Sequence, residues 1–122
     1  MREHEIHISI LKWLKVKLPR NSLVHHSPNE GRHHINYRMK QKRLGVQPGW
    51  PDLEIFVPAT HWLSETTWAP IFLEIKTDKG KVSENQKSMM SRLAQLGCYV
   101  SVVRSIDDSE LMLRELVRLN GQ

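Results

Sequence analysis

Ile71-Phe72-Leu73-Glu74-Ile75-Lys76 is an apolar run interrupted by two charged residues. It ends in the polar stretch Thr77-Asp78-Lys79-Gly80, and its composition reads as a buried strand. Side chains alternate between the faces of a strand. Glu74 and Lys76 therefore share one face, while Ile75 turns the other way, into the core. A carboxylate and an ammonium on a buried strand are unfavourable unless they are paired or bound to a metal. That penalty makes these two residues informative.

Upstream of this strand, Gly45-Val46-Gln47-Pro48-Gly49-Trp50-Pro51 packs two glycines and two prolines into seven residues, which predicts a turn. Asp52 to Val57 follows as a strand closed by Pro58, and Ala59 to Pro70 is a connector holding Trp62 and Trp68. Nearer the start, Ile6, Ile10, Trp13, Leu14 and Leu18 recur at helical spacing, so Arg2 to Leu18 reads as a helix stopped by Pro19. Leu23 to His26 reads as a short strand. Arg32 to Arg43 is strongly basic and reads as a short helix or an ordered loop.

Downstream, Ser83 with Gln86 three residues on fits a capping box that opens a helix to about Leu96, with Gly97 as its stop. Cys98 to Val103 is nearly all apolar, as expected for a strand in the middle of a sheet covered on both faces. Asp107 or Asp108 is expected to cap a last helix with Leu111, Leu113, Leu116, Val117 and Leu119 apolar. The helix between the third and fourth strands implies a parallel crossover. The expected architecture is α/β: a central mixed four-stranded sheet flanked by helices, in the order αβββαβ with a C-terminal helix. The length of 122 residues suits a single domain over 1–122.

Hydrophobic content of 39% and charged content of 25% are ordinary for a globular chain, but the net charge of +5 is not. Such a charge favours nucleic acid, an anionic membrane or an acidic partner, without choosing among them. The lone Cys98 excludes an intrachain disulfide and fits a reducing cytosol. No stretch reaches the roughly 18 apolar residues of a membrane span. The start of the chain has acidic residues and no small-residue cleavage site, so no signal peptide is expected.

Asp52 on one strand and Glu74 on the next supply two carboxylates to a hard oxygen site, which suits Mg²⁺ or Mn²⁺. An ion held there polarises a phosphoryl oxygen and activates water. Lys76 beside it orients the water or neutralises developing charge.

Pro51-Asp52, a gap of 21 residues and then Glu74-Ile75-Lys76 resembles the PD-(D/E)xK nuclease superfamily. The surrounding Gly45 to Leu53, with Gly80, Ser83, Gln86 and Leu96-Gly97, is similar to its VRR-NUC branch, from about Glu3 to Val103. The resemblance implies a restriction-endonuclease-like fold and a metal-dependent nuclease with Asp52, Glu74 and Lys76 as catalytic residues. It implies that Gln86 lies near the site, although capping Ser83 explains that glutamine equally well. It implies that the Ile75 carbonyl joins Asp52 and Glu74 on the metal.

The family also uses an acidic residue of the first helix as a metal ligand, and Glu3 and Glu5 are the candidates. With Glu3 at 0°, Ile6, Ile10 and Leu14 fall within about 60° of it and Glu5 near 200°. That phase and the family pattern favour Glu3.

The small relatives of this branch imply a homodimer cutting branched DNA such as Holliday junctions, in the cytoplasm of a bacterial or phage-infected cell. A nuclease of flaps, ends or linear duplexes, a non-catalytic DNA-binding module and an accessory subunit are the alternatives.

Arg32, Arg38, Lys40, Lys42 and Arg43 precede the turn that leads into Asp52, and with Asn29 and Tyr37 they are candidates to grip a DNA backbone. Trp62 and Trp68 are expected to cover the core or bury a dimer contact rather than stack on bases. The seven histidines form no H-E-x-x-H or Cys/His framework, and a structural zinc is not expected. His7 shares a helix face with Glu3, and both His7 and His26 are placed to border the active site.

Overall fold

Every residue of β3 (Ile71–Ile75) is buried, and the rest of the chain is arranged around it. The structure is a computed structural model, and it describes residues 1–27 and 35–122. The elements run α1 (Glu3–Lys17), β1 (Leu23–His26), α2 (Ile35–Arg43), β2 (Leu53–Phe56), β3, α3 (Glu84–Gln95), β4 (Tyr99–Val103) and α4 (Ile106–Leu113), with a 3-10 turn at Ala59–His61. The sheet order is β1-β2-β3-β4. β1 and β2 pair antiparallel, as do β2 and β3, whereas β3 and β4 are parallel. This is the mixed four-stranded α/β sheet expected from the strand–helix–strand crossover through α3.

Strand alternation divides the core. Leu53, Ile55, Ile71, Leu73 and Ile75 pack with Ile6, Ile10 and Leu14 of α1, with Leu113 of α4 and with the segment through Leu119. Phe72 packs on the opposite side with Met89 and Leu93 of α3 and with Trp50 and Cys98. The sheet therefore has an α1/α4 face and an α3 face.

Two expectations are corrected. Cys98 to Val103 is not the middle of the sheet. β4 lies at one end of the strand order, and only Val103 of it is fully buried. Its apolar run reflects contact with α3 and α4, not pairing on both edges. The last helix is capped by neither Asp107 nor Asp108. The Ser105 side chain accepts from the Asp108 N–H, and the Asp108 carboxylate accepts the Arg104 N–H at 2.8 Å. α4 also stops at Leu113, so Leu116, Val117 and Leu119 reach the core from irregular backbone, where Val117 bridges to Trp62.

Trp62 and Trp68 both donate their indole N–H to the Val57 carbonyl, at 3.0 and 2.7 Å. Trp62 packs on the core, and Trp68 stays 46% exposed. Among the described residues, no helix is long and apolar enough to cross a membrane.

Candidate active site

The antiparallel register pairs Leu53 with Leu73, so one step further along Asp52 stands across from Glu74. Asp52, Glu74 and Lys76 are 3%, 1% and 9% exposed, a rare condition for three charged side chains. The Asp52 Oδ2 accepts the Ile75 backbone N–H at 2.8 Å. One oxygen of Glu74 takes a hydrogen bond from Gln86 Nε2 at 2.8 Å and lies 3.5 Å from Lys76 Nζ. The other oxygen, Oε1, is buried with no hydrogen-bond partner.

Burial pushes the Glu74 carboxyl up to about 8. The negative charge of Asp52 pushes in the same direction, and Lys76 pulls back. Two carboxylates in a dry site cannot both ionise cheaply without a cation between them. A buried acceptor with no donor calls for the same remedy. The donors here are carboxylate and carbonyl oxygens, hard ligands that fit Mg²⁺ or Mn²⁺.

The turn before Asp52 is held from two sides. Gly49 has φ +77°, and a Cβ there would lie 2.3 Å from the Asn85 carbonyl oxygen, so the turn packs directly on the first residues of α3. Trp50 crosses Phe72 edge to face at 5.5 Å and donates its indole N–H to Glu54 Oε1 at 2.7 Å. Glu54 also accepts from Ser27 at 2.9 Å and lies 3.8 Å from His25 Nδ1. This carboxylate lies two residues beyond Asp52 but serves to fasten the turn, a role that the sequence does not signal.

At the start of α3 the capping box is complete. The Gln86 N–H donates to Ser83 Oγ at 3.2 Å, and the Ser83 N–H donates to Gln86 Oε1 at 2.9 Å. The amide nitrogen of Gln86 then reaches Glu74, so the side chain that caps α3 also contacts the buried carboxylate. On the far side of Lys76, Arg104 Nη1 donates to the carbonyls of Thr77 and Gly80, and this fixes the loop that leaves β3.

Glu3 and Glu5 are both exposed on the first turn of α1. One helical turn after Glu3, His7 reaches the site. His7, His26 and Asp52 each bring a ligand-capable atom to within 4.8 Å of the others. Burial, followed by the neighbouring His26, holds the His7 imidazole below its usual range. Helical phase relative to Glu3 points to His7, but strand phase alone cannot bring His26 beside it.

Arg38, Lys40, Lys42 and Arg43 are all exposed on α2, a helix with no acidic residue in its first turn and no buried residue. Asn29 and Arg32 lie outside the described residues.

The family model described as the VRR-NUC domain matches residues 2–107. A solved structure titled VRR-NUC domain protein is 25% identical, with a TM-score of 0.72 over 93% of this chain and 86% of that one. A second, titled VRR-NUC domain, is 19% identical with a TM-score of 0.60 over 92% and 94%, and is similar in fold. No curated protein matches the chain.

Proposed function

Since the chain belongs to the VRR-NUC domain family, a family of nucleases, we propose that it is a metal-dependent endonuclease that hydrolyses DNA phosphodiester bonds. The observation that carries this reading is Glu74 Oε1, a buried acceptor without a donor on the residue that faces Asp52. Asp52, Glu74 and the Ile75 carbonyl would hold Mg²⁺ or Mn²⁺, with Glu3 as the helix carboxylate of the set. Such an ion supplies a Lewis acid for the scissile phosphate and a more acidic water. Lys76 orients that water and neutralises charge developing on the phosphate. Gln86 keeps Glu74 in place through its 2.8 Å hydrogen bond. α2 offers Arg38, Lys40, Lys42 and Arg43 to the DNA backbone, a role that Asn29 and Arg32 would share.

The preferred substrate in this reading is branched DNA such as a four-way junction, cut by a homodimer that doubles a small footprint and sets two sites on a symmetric substrate. The test uses labelled four-way junction and linear duplex, with Mg²⁺, Mn²⁺ or chelator, beside Lys76→Ala. Symmetric cutting of the junction that requires metal and Lys76 is the expected result. Cutting only of linear or flapped DNA removes the junction preference and keeps the nuclease. Binding without cutting in either metal overturns the enzyme. A monomer at micromolar concentration by light scattering overturns the dimer.

A further inference from the structure

Three elements converge at one end of the sheet to bring His7, His26 and Asp52 together, with their ligand-capable atoms within 4.8 Å of one another. Asp52 is buried, His7 half-buried and His26 exposed. Core packing therefore gives little reason for two imidazoles to close on a carboxylate. The rings meet edge to face, with centroids 4.7 Å apart and planes at 90°.

One nitrogen of His26 is already committed. Its Nδ1 lies 2.9 Å from the Asp52 carbonyl oxygen, and a carbonyl can only accept, so this nitrogen carries the proton. In the neutral ring with that proton on Nδ1, it is Nε2 that offers a lone pair. Ligating histidines are commonly held this way, with one ring nitrogen donating to a backbone carbonyl and the other on a metal.

Asp52 is common to this cluster and to the pair it makes across the strands with Glu74. His26 pairs with Leu53 of the α1 face. Glu74 shares the α3 face with Phe72 and meets Gln86 there.

We propose that His7, His26 and Asp52 form a second metal position, beside the oxygen position at Glu74, for an imidazole-seeking divalent transition metal, zinc foremost. Two nitrogens and one carboxylate oxygen are the three-ligand set of an open zinc site, whereas magnesium takes oxygen donors and water. Ligands about 2.0–2.1 Å from a tetrahedral ion stand roughly 3.3 Å apart, so a modest rotation of the side chains closes the set. The proposal rests on the nuclease reading only in treating Asp52 as a ligand shared by both positions.

The test is metal binding by full-length protein stripped of metal. Zn²⁺ affinity is measured by competition with a chromophoric chelator, and Co²⁺ coordination by its visible absorption. The expected result is one Zn²⁺ bound and a Co²⁺ spectrum that excess Mg²⁺ leaves unchanged. His7→Gln and His26→Gln each lower Zn²⁺ affinity by about 100-fold or more. Glu74→Gln changes it by no more than a few-fold. Unchanged Zn²⁺ affinity in the histidine variants overturns the proposal. So does an equal loss in Glu74→Gln, which would place the histidines in the same centre as Glu74. His26 is exposed, so His26→Gln decides the matter if His7→Gln does not fold. Mg²⁺-dependent DNA cutting, assayed on the same preparations, reports the nuclease reading separately: zinc binding without cutting would remove that reading and leave this one.

Discussion

The side-chain amide of Gln86 joins Glu74 to the first turn of α3, with its nitrogen 2.8 Å from Glu74 Oε2 and its oxygen 2.9 Å from the Ser83 backbone nitrogen. One residue thus takes part in both a helix start and the hold on a buried carboxylate.

Two substitutions separate these duties. Ser83→Ala and Gln86→Ala should each destabilise the protein by about 1 kcal/mol in urea titrations, because each breaks the cap. Only Gln86→Ala should also slow DNA cutting. Equal cutting by the two variants would show that the hydrogen bond to Glu74 has no part in the chemistry.

Lys76→Ala should lower the cutting rate by about 10²–10⁴-fold, the usual worth of a group that manages a proton or its charge at the reacting centre. Circular dichroism should show an intact fold, and Mn²⁺ should still bind. A rate within a few-fold of wild type would remove Lys76 from the reaction.

The Glu74 carboxyl is pushed up to about 8 from an ordinary 4.5, so the folded protein holds this proton more tightly than the unfolded chain. The linked stability is fully present below pH 4.5 and is lost as pH rises through about 8. In chelator, wild-type stability should therefore fall between pH 5 and 8 more steeply than that of Glu74→Gln. A divalent ion should restore more stability at pH 8 than at pH 5, because it takes the place of the proton. Identical pH slopes for the two proteins would rule out Glu74 as the source.

Charge removal on α2 should act on affinity, not on chemistry. Replacing Lys40, Lys42 and Arg43 together by alanine should weaken DNA binding and flatten its dependence on salt, by about one unit of slope for each phosphate that the variant leaves unneutralised. The rate at saturating DNA should stay near wild type. An unchanged salt slope would place the DNA elsewhere on the surface.

Gly49→Ala tests the clasp between the turn and α3. The new methyl group would meet the Asn85 carbonyl, at a φ that L residues rarely adopt. Both stability and cutting should fall, and Gly45→Ala, with open space around it, should lower stability less.

Much of this arrangement is legible in the sequence because its signals are local. The capping box, the strand boundaries of β1 and the pairing of Glu74 with Lys76 follow from spacings of two or three residues. What the sequence hides depends on distance. Apolar composition cannot tell a strand paired on both edges from an outer strand covered by helices, so the place of β4 at the end of the sheet is not legible. Asp108 looks like a cap, but Ser105 wins because the aspartate is engaged by the Arg104 backbone. His7 and His26 meet only through the packing of α1 against the end of the sheet, which no window of sequence contains.

Asp52 precedes β2 and Glu74 lies near the end of β3, and because the two strands are antiparallel both residues fall at the same end of the hairpin. The connector from Pro58 to Pro70 therefore turns at the opposite end. Within the 21 residues between the two carboxylates, the paired strand residues set their register, and the connector alone can change length without altering it. Insertions there would leave the distance between Asp52 and Glu74 untouched. This is the position at which the fold can gain a new recognition segment while its reactive end stays the same.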